Sequence, residues 1–125
     1  MPSSPQQRVL VVDDQGELAE MMAWELADRG YEAVAVSSGT DALQRLKKER
    51  FDVVVTDLSM PEVDGLMLLR ASRELDPTRP VIMVTAFGTL QTAVEATANG
   101  AYHYVTKPLR PEVLLRLIRQ ALQSA

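Results

Sequence analysis

Asp13, Asp14, Asp57, Thr85 and Lys107 are the residues of this chain best placed to do chemistry together. Each stands at the end of a short run that reads as a buried strand: the acidic pair after residues 9–12, Asp57 after 53–55, Thr85 after 81–84 and Lys107 after 104–106. If those strands are parallel and adjacent, their polar ends meet on one edge of a sheet. Three carboxylates, one hydroxyl and one ammonium in a single crevice suit a divalent cation and a phosphoryl group.

Such a crevice needs elements to hold it. Strand candidates over 9–12, 32–36, 51–56, 81–84 and 102–106 alternate with helical patterns along the whole chain, which is the signature of βαβ units and a parallel sheet. The first helix draws an apolar face from Leu18, Ala19, Met21, Met22, Ala23 and Leu26 and should stop at Gly30; Trp24 and the Met21–Met22 pair read as helix packing. Ala42, Leu43 and Leu46 mark the second helix, Leu66 and Leu69 the third, Ala93, Val94 and Ala96 the fourth. The fifth carries a stripe of Val113, Leu114, Leu117, Ile118, Ala121 and Leu122, with Pro111 in its first turn. Continuous apolar strands imply helices on both sheet faces, and the strand with Glu32 should be the more exposed. Right-handed crossovers make a flavodoxin-like, doubly wound α/β sheet of five parallel strands the leading topology, in the order 2-1-3-4-5 with five helices.

Size and composition narrow the functional classes. At 125 residues the chain makes one domain, and 46% hydrophobic with 24% charged residues is ordinary for a soluble globular protein. The net charge of -4 and the scattered basic residues argue against a nucleic-acid surface. Cys is absent, so disulfides and thiolate metal sites are excluded, and a cytoplasmic location is expected. The polar opening with Pro2 and Pro5 has no apolar signal core, and no run approaches the roughly 18 apolar residues of a membrane span. Residues 1–7 are expected to form a disordered tail. The fifth helix runs nearly to the last residue, as it would if a longer protein had been cut at a linker.

The binding crevice of an open parallel sheet lies beyond the carboxyl ends of its strands, where the winding reverses. In the order above that point falls between the first and third strands, beside Asp13, Asp14 and Asp57. Two like charges about 4 Å apart cost roughly 4 kcal/mol at an effective dielectric near 20, so the trio calls for a neutralising cation. Mg²⁺ fits an all-oxygen site completed by water and phosphate. His103 is the only histidine, which leaves no cluster for a softer metal. An Asp beside Mg²⁺ and a Lys is an apt nucleophile toward phosphorus, and Thr85 would donate to the acyl phosphate.

Val12-Asp13-Asp14, Asp57-Leu58-Ser59-Met60-Pro61 with Gly65, Val84-Thr85-Ala86 and Lys107-Pro108, in that order, resemble the receiver domain of two-component response regulators over residues 8–122. The resemblance implies a receiver domain over 8–123 in which Asp57 accepts phosphate from a sensor histidine kinase. By the same resemblance Asp13, Asp14, Asp57 and the main-chain carbonyl of Ser59 surround Mg²⁺, Lys107 and Thr85 bind the phosphoryl group, and Thr85 with Tyr104 forms the switch. It also implies a cis bond at Lys107-Pro108, and tuning of dephosphorylation by Ser59 and Phe87. An apolar ring at Phe87 is expected to shield the site and slow self-dephosphorylation. Gln15 departs from the family, where another acid or Asn is common.

The implied readout is a surface of the fourth helix, fifth strand and fifth helix that controls an output domain or partner, with a phosphorylation-dependent homodimer among the outcomes. Segments 85–89, 93–96 and 100–108 are similar to receivers of the nitrogen-regulation type, which precede a sigma-54-dependent ATPase and a DNA-binding domain. The receiver itself would neither touch nucleic acid nor turn over a substrate. Plainer readings stand beside these: Asp13 and Asp14 as acids opening a helix, Asp57 as a turn residue, Thr85 as a cap, Lys107 as a solvated side chain. Two rival functions also remain, an Asp-nucleophile phosphohydrolase using Mg²⁺ and a flavin-binding module. The first would need room for a substrate cap, and the second would set FMN phosphate against Asp13 and Asp14.

Overall fold

The computed structural model describes residues 6–124. Its elements are β1 (Arg8–Val12), α1 (Gly16–Asp28), β2 (Glu32–Val36), α2 (Gly39–Lys48), β3 (Val53–Thr56), α3 (Gly65–Leu75), β4 (Val81–Thr85), α4 (Leu90–Ala98), β5 (His103–Thr106) and α5 (Pro111–Ser124). All four strand pairings are parallel, and the order is β2-β1-β3-β4-β5. The expected flavodoxin-like topology is therefore the one observed.

Side chains alternate between the two faces of a strand, and here both faces are apolar. Val9, Val11, Val53, Val55, Ile82 and Val84 share one core with α1 and α5. Leu10, Val12, Val54, Val81 and Met83 share the other with α2, α3 and α4. The edge strand β2 is less buried, as Glu32 and the alternating Ala and Val foretell.

Register then fixes the site. Val12 pairs with Thr56, so the next residues, Asp13 and Asp57, emerge side by side. Thr85 pairs with Thr106, so Lys107 follows directly beyond Thr85.

The starts of α2, α3 and α4 are closed by side chains. Ser38 Oγ accepts from Asp41 N at 3.1 Å, Asp64 Oδ1 accepts from Met67 N at 2.9 Å, and Thr89 with Thr92 forms a reciprocal capping box. Ser38→Ala should cost about 1 kcal/mol. A lower urea midpoint with an unchanged slope would register it. Gly30, just past α1, has φ +97°, which explains the stop there.

Three sequence readings are corrected. Phe51 and Asp52 precede β3: the Asp52 carboxylate accepts from Arg8 N at 2.7 Å, and ladder pairing with β1 begins only at Val53. Similarly Tyr102 precedes β5, whose pairing with β4 starts at His103. On α1 only the narrow stripe of Ala19, Ala23 and Leu26 is buried, with Ala19 and Ala23 letting the helix lie close on the sheet. Met21 and Trp24 stand in solvent on its outer side, 64% and 67% exposed.

Of the expected tail, residues 1–5 lie outside the described residues. Gln6 Nε2 donates to Gly30 O at 3.1 Å, and Gln7 O accepts from Glu32 N at 3.0 Å, continuing the approach to β2. At this end of the sheet Arg8 is a hub. It pairs with Glu32 and Glu49, donates to Arg50 O, and stacks its guanidinium 4.5 Å over the Phe51 ring. The bond to Glu49, followed by Glu32, outweighs burial and holds the guanidinium above its usual pKa. No helix among the described residues is long and apolar enough to cross a membrane.

Candidate functional site

Carboxylate oxygens of Asp13, Asp14 and Asp57 lie within 4.8 Å of one another. Asp13 is buried at the end of β1, its Oδ1 accepting from Gln15 N at 2.9 Å; Asp14 next to it is exposed. Asp57 is anchored on both sides. Its main-chain N–H donates to Val12 O at 2.9 Å, and its Oδ1 accepts from Leu58 N at 2.7 Å and, more weakly, from Ser59 N at 3.4 Å. The other oxygen, Oδ2, faces the crevice. Lys107 Nζ donates there at 3.0 Å and to Asp13 Oδ2 at 2.6 Å.

One ammonium thus bridges two of the three acids across 94 and 50 residues of sequence. Burial alone would lower the Lys107 pKa, but the hydrogen bonds to Asp13 and Asp57 and their negative charges win and raise it above the ordinary 10.5. The Lys107 main-chain N–H donates to Thr85 O at 2.9 Å, which holds the residue at the crevice; the Lys107–Pro108 bond is cis. Three carboxylates without a His or Cys form an oxygen-only donor set, which suits a small hard divalent cation.

Thr85 closes the far side. It is fully buried, and its Oγ1 accepts from Phe87 N at 3.2 Å while its hydroxyl hydrogen has no acceptor among the described residues. Tyr104 on β5 is half-buried, and its hydroxyl shares a 2.7 Å hydrogen bond with Thr92 Oγ1 in the first turn of α4. Gly88 lies against the tip of that ring, since a Cβ there would fall 2.2 Å from the Tyr104 hydroxyl oxygen. Tyr104→Phe keeps the ring and deletes the bond, so it should cost about 1 kcal/mol. Combined with Thr92→Val it should show less than the sum of the two losses, measured by urea denaturation. Ser59 and Phe87 border a shallow groove with Met60, Pro61 and Leu66. The Phe87 ring is 78% exposed on this rim rather than folded over Asp57.

Comparison with known proteins settles the lineage of this arrangement. The family model described as response regulator receiver domain matches residues 9–119. The chain belongs to that family. This receiver domain is 36% identical over 117 residues to the transcriptional regulatory protein GlrR of Escherichia coli (strain K12), a match covering 94% of this chain and 26% of that protein. It spans about a quarter of the length of the curated relatives it matches. Among solved structures, a CheY-like response regulator receiver domain protein from Methanospirillum hungatei JF-1 superposes with a TM-score of 0.92 at 29% identity, covering 95% of both chains. The beryllofluoride-activated NtrC4 receiver domain dimer superposes at 0.87 with 33% identity, covering 94% of this chain and 97% of that one.

Within the receiver domain, the residues singled out from sequence fall into two groups. Asp13, Asp14, Asp57 and Lys107 meet in one crevice, with Thr85 on the neighbouring strand end. Tyr104, Ser59 and Phe87 stand around it. In the sequence Gly65 stands out only as part of the receiver motif. Its N–H donates to Leu58 O at 2.8 Å, and a Cβ there would fall 2.3 Å from Asp57 O, so α3 begins pressed against the main chain of Asp57. Thr92 and Gly88 went unremarked, because a threonine in a helix and a glycine in a loop carry no signal until the tyrosine that meets them is placed.

Proposed function

We propose that this receiver domain accepts a phosphoryl group on Asp57 from a phosphohistidine of a cytoplasmic sensor kinase, in the presence of Mg²⁺, and holds it as a switch. The observation that carries the reading is the Lys107 bridge between Asp13 and Asp57, with Asp14 close by. Asp13, Asp14, Asp57 and the main-chain carbonyl of Ser59 would hold the cation, which when bound offsets negative charge on the transferring group.

Asp57 Oδ1 is engaged by main-chain N–H groups, which leaves Oδ2 as the attacking oxygen. A bond forms from Oδ2 to phosphorus as the donor's N–P bond breaks, and the electron pair returns to the imidazole nitrogen. Lys107 passes from Oδ2 to a phosphoryl oxygen. Thr85, whose hydroxyl hydrogen is uncommitted, turns toward another. Its departure from Phe87 N and the space it vacates draw Tyr104 inward and away from Thr92, so the start of α4 is released with it.

The readout surface is α4, β5 and α5, where Leu90 and Val94 expose apolar side chains. The solved NtrC4 dimer supports self-association of the phosphorylated form, and the GlrR relative supports a transcriptional output domain, with the resemblance to sigma-54-dependent activators naming its type. Ser59 and Phe87, sharing the rim groove, set how fast water removes the phosphoryl group. Intact mass tests the core of this: incubation with Mg²⁺ and a small acyl-phosphate donor should add one phosphoryl mass to the wild type and none to Asp57→Asn. Equal uptake by the variant, or uptake indifferent to chelation of the metal, refutes the assignment.

A further inference from the structure

Far from the acidic crevice, at the opposite end of β4 and β5, a groove of about 290 Å³ is lined by Arg73 and Arg79 together with Thr78, Gly100, Ala101 and Tyr102. Arg79 is only 6% exposed, an unusual position for a guanidinium without a carboxylate partner. Its contacts are with neutral oxygens, from Nε to Ser72 Oγ at 3.0 Å and from Nη2 to Ser72 O at 3.3 Å. The nearest acid, Asp76, turns its Oδ1 to Thr78 N and Thr78 Oγ1 at 3.0 and 2.6 Å and makes no ion pair with Arg79. Burial accordingly pushes the Arg79 pKa down, against a weaker upward pull from Asp76. Arg73 is half-buried, and among the described residues it likewise donates only to a carbonyl, Pro77 O at 3.3 Å. It lies across Gly100, where a Cβ would fall 2.5 Å from its Nε and φ is +91°. Glycine at that position lets the second guanidinium lie in the groove.

We propose that this groove is an oxyanion site in which the Arg73 and Arg79 guanidiniums together take a phosphate or carboxylate group. Two planar forks with five N–H donors each match such oxygens bidentately, and among the described residues only three of those donors are engaged, all by neutral acceptors. An anion there satisfies the remaining donors and supplies the countercharge that Arg79 lacks. The site is separate from Asp57 and independent of its phosphorylation.

Amide chemical shifts of the unphosphorylated protein, followed in metal-free, low-salt buffer during titration with inorganic phosphate and separately with acetate, test the proposal. Gly100, Ala101 and Tyr102 should shift saturably with at least one anion. Tighter phosphate binding identifies a phosphate-bearing ligand, and tighter acetate binding a carboxylate. Arg73→Gln should weaken the response by about tenfold, as expected for lost charge-assisted hydrogen bonds. Arg79→Lys, which keeps the charge but not the fork, should weaken it as well. Linear, unsaturated shifts with both anions, or saturation unchanged in Arg73→Gln of intact fold, overturn it.

Discussion

Lys107→Met should lower the stability of the domain by about 3 kcal/mol at neutral pH, because removing one partner of a buried charge cluster leaves the others uncompensated. The wild-type ammonium touches Asp13 and Asp57 together, and both acids are buried, so no solvent replaces it cheaply. Urea denaturation with and without Mg²⁺ gives the diagnostic contrast. A cation bound by the native state alone stabilises by mass action, and the variant, with three unbridged carboxylates, should gain more from it than the wild type. The pH dependence has a definite sign. The folded state holds the Lys107 proton more tightly than the unfolded chain, since its pKa is raised above 10.5. The contribution is therefore complete below that value and is lost as pH climbs through the folded pKa. The wild type and the variant should keep a constant difference through the neutral range and converge in strong alkali. A variant as stable as the wild type at pH 7, or one indifferent to Mg²⁺, would contradict this account of the crevice.

Gly65→Ala should be comparably severe, at about 3 kcal/mol, the upper end of what overpacking costs. A Cβ at that position meets Asp57 O at 2.3 Å and Leu58 Cα at 2.8 Å, and main-chain atoms cannot swing aside as a side-chain tip can. Relief requires α3 to withdraw or the Asp57 peptide to shift. Either one displaces the carboxylate, so phosphoryl uptake from an acyl-phosphate donor should slow along with the loss of stability. Gly16→Ala is the matching control. Its Cβ would meet only Ser37 Cβ at an ordinary 3.5 Å, and reduced freedom of the unfolded chain should leave stability unchanged or raised by about 0.5 kcal/mol. If both variants unfold at the same urea concentration, the close approach of α3 to Asp57 is not what demands glycine.

Much of this was readable from residue order alone. Val9–Val12 and Val53–Val55 are apolar on both faces, which marks two central strands, and an acid at the end of each places Asp13 beside Asp57 once the strands are parallel neighbours. Lys107 and Thr85 were found by the same rule applied to β4 and β5. What sequence missed lies where tertiary contact overrides local pattern. Met21 satisfies helical periodicity as well as Leu26 does, yet the sheet accepts only the stripe of Ala19, Ala23 and Leu26. Phe51 is apolar and fully buried, but it lies ahead of the ladder, whose register with β1 begins at Val53 after Asp52 has met Arg8 through both its main-chain N–H and its carboxylate. Arg79 looks like a loop charge between two prolines, and only the position of Ser72 on α3 reveals a buried guanidinium.

The two rims of the sheet differ in kind. Around Arg8, β1, β2 and the turn into β3 are laced to a single cation whose four partners are all supplied by the chain. Nothing there has to let go. At the opposite rim the proposed switch exchanges the partners of Asp57, Thr85 and Tyr104 each time a signal passes. By fastening one end of the strands so firmly, the fold can leave the other end loosely committed without putting its register at risk, so the proposed switch would send its message through a rearranged surface rather than through a softened core.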